Sequence, residues 1–159
     1  MRASPWIWVA LGALALFGVG GAVVSAARGI RNNNPGNIRR SSTDWRGEVP
    51  GADAAFETFA TPADGIRAIA KLLVNYQERY GLTTLRGLIN RYAPPSENNT
   101  TAYVDAVAAK AHIGPDQVVR LRQQPETLEH VVTAIIRHEN GVQPYSAELI
   151  RGAVRSALA

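Results

Sequence analysis

Glu139 has the strongest claim to chemistry in this chain of 159 residues. It follows Leu128, Val132 and Ile135 at steps of four, three and four, the spacing of a single helical face. That face enters a core, and Asn140-Gly141 behind the glutamate suits a left-handed helix end. Partial burial and the negative end of the helix dipole both favour the protonated carboxyl. A carboxyl that keeps its proton near neutral pH is what a general acid requires. Periodicity leaves a second reading open, in which Glu139 turns outward at a frayed end and pairs with Arg137 or Arg151.

The other chemistry-bearing residues narrow the classes. His138-Glu139 lacks the second histidine of a zinc-binding HExxH pattern. His130 lies off the face of His138, and His112 stands alone. With no cysteine in the chain, thiolate chemistry, disulfides and thiolate metal sites are excluded. No metal and no cofactor are expected.

The elements that must hold these residues follow from the pattern. Residues 29–60 are poor in helix signals, and GIRNNNPGNIRRSS is dense in turn formers. AAFETFA at 54–60 reads as a short strand, the return arm of a hairpin. Thr61-Pro62-Ala63-Asp64 combines a cap, a first-turn proline and an acidic start. The helix it opens carries Ile66, Ile69, Leu73, Tyr76 and Tyr80 and closes at Gly81. Further helices are expected over Thr84 to Tyr92, Thr100 to Ile113 with Gly114 behind it, Pro115 to Arg122, from Pro125 to the glutamate, and from Ser146 onward. The expected fold class is mainly α: an N-terminal transmembrane helix, then a helical domain with a small β-rich or irregular lobe.

The transmembrane expectation rests on residues 5–24, PWIWVALGALALFGVGGAVV, which hold no charged side chain. About 20 apolar residues suffice to cross a bilayer, and Trp6 and Trp8 suit its interface. The chain therefore divides into residues 1–27, a membrane anchor or signal segment, and residues 28–159, the helical domain. The formal charge of +4 comes from 17 basic and 13 acidic residues, with Arg2 alone in the N-terminal segment. That balance suits an acidic polymer or a lipid surface, and nucleic acid is not an expected partner. Arg28, Arg31, Arg39 and Arg40 favour a cytoplasmic C-terminal domain by the positive-inside rule.

Two stretches carry a resemblance. NNPGNIR at 33–39 with Trp45, followed by FETFATPADGIRAIAKLL at 56–73, resembles the middle of lysozyme-like glucosaminidases. The matching positions are Asn33, Asn34, Ile38, Arg39, Trp45, Gly47, Phe56 and Phe59. ENNTTAYVDAV at 97–107 resembles a motif of soluble-type lytic transglycosylases whose tyrosine lies near the catalytic acid, and Tyr103 holds that place. The whole of residues 29–158 also resembles phage and prophage virion structural proteins beginning GIRNNNPGNIR. The helix that those enzymes place before the Asn loop is absent here, and one ending in Glu-Asn-Gly follows the rest of the domain. The resemblance thus implies a permuted lysozyme-like fold in which Glu139 is the acid and Tyr103 its companion.

It further implies a membrane-anchored, virion-associated enzyme that cleaves the glycan backbone of peptidoglycan, of lytic transglycosylase or muramidase type. Its partners would be glycan strands, the lipid bilayer and other virion proteins. Such an enzyme sits in the virion membrane or the bacterial inner membrane with its domain facing the periplasm, against the bias of the arginines. Asn33, Asn34 and Asn37 either offer amides to N-acetyl and hydroxyl groups or form turns. Trp45 either stacks on a sugar or covers the small lobe. A hydrolase would add a second carboxylate, from Glu48, Asp53 or Glu57, whereas a transglycosylase needs none. The alternative is a non-catalytic structural membrane protein of the virion.

Overall fold

The structure, a computed structural model, describes residues 27–96 and 98–159. Six helices follow one another in that range: α1 (Arg28–Arg31), α2 (Pro62–Tyr80), α3 (Leu85–Tyr92), α4 (Thr100–Ala111), α5 (Pro125–Asn140) and α6 (Ala147–Leu158). No helix among the described residues is long and apolar enough to cross a membrane. The described fold is therefore corrected to a helical domain with no transmembrane helix among its described residues; the expected span at residues 5–24 lies outside the described residues.

Local chemistry explains where the helices begin and end. Thr61 accepts from the Asp64 amide and Pro62 occupies the first turn of α2, satisfying a donor that helix geometry leaves open. Gly81 ends α2 at a φ of 66°, and Gly141 ends α5 at 73°. Thr84, Asn99 and Ser146 cap α3, α4 and α6 in the same way. For α4 the left-handed end is His112, at a φ of 55°, two residues before the expected Gly114.

Helix α2 packs along α6, and α4 packs along α5. The core runs through both pairs, with Ile66, Ile69, Leu73, Leu88, Val104, Val107, Leu128, Val132, Ile135 and Val154 fully enclosed. Each such aliphatic side chain contributes about 1.5–3 kcal/mol of burial free energy, which fixes the side of α5 that faces inward.

Two expectations about secondary structure are overturned. The lobe takes the irregular of its two expected forms, and the strand expected at 54–60 is not formed. Arg39 bridges Phe56, Glu48 bridges Phe59, and neither pairing extends. Asn37 at a φ of 47° and Gly47 at 80° turn the chain before a ladder can grow. The Arg40 side chain instead donates to the carbonyls of Gly51, Asp53 and Phe56. Residues 115–122 likewise form turns rather than a helix. The Gln77 amide donates to the Val119 carbonyl and accepts from the Leu121 amide, each at 2.8 Å. Those backbone groups are thus taken by a side chain of α2.

Candidate active site

The last turn of α5 carries Glu139 inward, as the stripe of Leu128, Val132 and Ile135 requires. Its side chain is 4% exposed, which rejects the outward-facing reading. Arg151 pairs with Glu129 instead. Two donors reach the buried carboxyl from distant parts of the chain. The Tyr103 hydroxyl donates to Oε1 at 2.6 Å, and the Asn37 amide donates to Oε2 at 2.9 Å.

The loop that delivers Asn37 is built from the asparagines around it. Asn34 is fully enclosed; its amide donates to the carbonyls of Ile38 and Glu57, and its oxygen accepts from the Ile38 amide. Those three bonds close the turn 34–38 and tie it to the lobe. Asn33 adopts a φ of 50° and donates to the carbonyls of Phe59 and Ala60. Asparagine tolerates this left-handed geometry better than most residues. Tyr92 then fixes the loop tip by donating to the Gly36 carbonyl at 2.7 Å. A Cβ on Gly36 would meet the Tyr92 hydroxyl at 2.4 Å and Ile69 at 2.6 Å. Only glycine allows that approach.

Tyr103 is held just as firmly. Its ring meets Tyr92 edge-on at 6.5 Å and stacks on His138 at 3.8 Å with 22° between the planes. Burial and the neighbouring Glu139 carboxylate drive both tyrosine pKa values far upward, so both hydroxyls remain donors. Burial, with Lys110 adding to it, lowers the His138 pKa to about 4. The ring on Tyr103 is therefore neutral near pH 7.

Glu139 itself is pushed up to about 7 by burial, against the opposing pull of the Tyr103 and Asn37 bonds. Each carboxyl oxygen accepts one bond and keeps a second lone pair, so a proton can sit there without displacing either donor. Near neutral pH the group is poised between acid and base.

Over 130 residues the chain is 43% identical to Protein P5 of Pseudoalteromonas phage PM2, with 79% of each chain covered. The chain belongs to the family of Protein P5. No family model matches it, and the lysozyme-like domain implied by the motifs is not shown by these comparisons.

The remaining expected residues of this P5-family chain serve the architecture around Glu139. Trp45 is buried in the lobe, with Glu48 contacting both its backbone groups. The amides of Asn33 and Asn34 are engaged within the chain. Arg28 and Arg39 lie over the Phe56 ring at 4.5 and 5.2 Å, and Arg28 approaches Asp53. Among the described residues no group of acidic, histidine or cysteine side chains could hold a metal.

Of the three other carboxylates, only Glu57 is buried, at 1% exposure. It accepts from the Ser41 amide, and burial, reinforced by the Glu48 carboxyl, raises its pKa to about 7. Burial of Asp53 is outweighed by bonds from Ala55, Asn32 and Phe56 and by Arg28, which lower its pKa. Beside Glu48 an open groove of about 460 Å³ runs past Arg40, Thr43 and Pro50. Glu139 does not line it, so the site assignment rests on the convergence of Tyr103 and Asn37.

Three roles were not read from the sequence. The burial of Glu57 is not legible, because the short stretch around it gives no sustained period. His138 carried no metal pattern, and its contact is to a ring on another helix. Asn140 was read only as a helix-end residue, yet its amide donates to the Pro35 and Ile136 carbonyls and ties α5 to the Asn loop.

Proposed function

We propose that this protein cleaves the glycan backbone of peptidoglycan as a virion-associated phage enzyme, with Glu139 as its single acid/base. The observation that carries the reading is a buried carboxyl near pKa 7 held by two donors, Tyr103 and Asn37. The protonated acid donates to the glycosidic oxygen as the C1–O bond breaks, and leaves an oxocarbenium-like sugar. In a lytic transglycosylase the sugar's own 6-hydroxyl then attacks C1 and returns its proton to Glu139. A muramidase uses water at that step. Tyr103 and Asn37 hold the carboxyl still and stabilise its charged form between the two transfers.

The intramolecular route fits better, because Asp53 is committed to bonds within the lobe and Glu57 is turned to Ser41. The full chain should clear a peptidoglycan zymogram, and Glu139→Gln should abolish the clearing. Mass analysis should find anhydro ends in the soluble products. Clearing that survives Glu139→Gln, or a wild-type chain that clears nothing, defeats the assignment.

A further inference from the structure

Gly29 lies inside the four-residue helix α1, and its φ is not in the left-handed region. Backbone freedom therefore does not explain a glycine here. Space does: a Cβ at this position would stand 2.7 Å from Asn140 Oδ1, 2.8 Å from the Asn34 carbonyl and 3.1 Å from Asn37 Oδ1. Both side-chain oxygens are buried and have no hydrogen-bond partner. Their orientation is fixed from the other end of each amide. Asn140 must turn its NH₂ to the carbonyls of Pro35 and Ile136, and Asn37 must turn its NH₂ to the Glu139 carboxyl. A flip of either amide would set oxygen against oxygen. The two carbonyl oxygens thus crowd the space that a Cβ at residue 29 would fill, with no hydrogen-bond donor meeting either of them.

We propose that Gly29 is a positioning residue for Glu139: its bare Cα is the seat for the Asn37 and Asn140 amides that join the Asn loop to the end of α5. The proposal rests on the reading of Glu139 as the acid, and it assigns the first element of the described chain to the site. Contacts between α1 and α5 give the seat its second wall. Any side chain at position 29 must push one of the two amides away, and both shifts move the carboxyl relative to its donors.

The test is Gly29→Ala in the full chain, with two readings. Peptidoglycan clearing should fall about 100-fold, the scale of loss when a catalytic group is misplaced by about 1 Å. The titration midpoint of the Glu139 carboxyl carbon, followed by NMR, should rise, because the Asn37 bond that favours the carboxylate is weakened. A packing defect elsewhere would lower the melting temperature and leave that midpoint in place. An unchanged midpoint in folded Gly29→Ala overturns the proposal. The titration needs no turnover, so a raised midpoint in Gly29→Ala beside a wild-type chain that clears nothing supports the positioning role and defeats the enzymatic reading. Should Gly29→Ala fail to fold, Asn140→Ser removes one of the two seated amides without adding an atom, and the Glu139 midpoint should rise as the Asn loop loses this tie to the end of α5. A wild-type midpoint in that variant overturns the proposal equally.

Discussion

The Tyr103 hydroxyl and Glu139 Oε1 lie 2.6 Å apart, both residues buried. The bond joins α4 to the last turn of α5 and makes the glutamate's protonation state a property of both helices. Tyr103→Phe should leave the fold intact and remove a donor that favours the carboxylate. The Glu139 midpoint should rise above about 7, and the chain should lose about 1.5–3 kcal/mol at alkaline pH, the range for a hydrogen bond to a charged group. Urea unfolding at pH 5 and pH 9 checks this, since the loss should shrink at pH 5, where the carboxyl is neutral.

Burial of Glu139 also sets a pH dependence of stability. Its pKa rises from 4.5 to about 7 on folding, so the folded chain binds the proton more tightly. Stability from this group is complete below about 4.5 and is lost as pH rises to about 7. The shift corresponds to about 3 kcal/mol. Glu57 moves in the same direction. Thermal unfolding across pH 4 to 8 should show a decline that Glu139→Gln removes in part and Glu57→Gln in part. A difference curve between wild type and Glu139→Gln that stays flat across this window would refute the burial argument.

Gly36 and Gly152 should answer oppositely to alanine. A Cβ at Gly36 meets Tyr92 and Ile69 well inside contact distance, whereas one at Gly152 in α6 meets nothing within 4 Å. Gly36→Ala should cost about 1–3 kcal/mol, the range for overpacking. Gly152→Ala should add about 0.5–1 kcal/mol through the helix preference of alanine. Paired melting curves of the two variants decide the matter.

The sequence disclosed most where a pattern repeats. The stripe on α5 placed Glu139 inward, Thr61-Pro62 and Gly81 bounded α2, and the tyrosine motif brought Tyr103 to the site. It disclosed least where side chains replace the backbone as hydrogen-bonding partners. Nothing in the composition of residues 115–122 signals that Gln77, some forty positions earlier, takes their carbonyl and amide groups. The hairpin expected at 54–60 failed for the same reason, since Arg40 gathers carbonyls that a partner strand would have used. The crowding at Gly29 depends on three oxygens, two from the Asn loop and one from the end of α5, and no local spacing encodes it.

Asn37 and Glu139 touch across 102 positions of sequence. On the ribosome the Asn loop emerges early and must remain without its carboxyl partner until the end of α5 has been made. The site cannot exist on any nascent fragment that stops short of Glu139. For a chain whose proposed substrate is the wall of the cell that synthesises it, completion of the polypeptide would itself be the first safeguard.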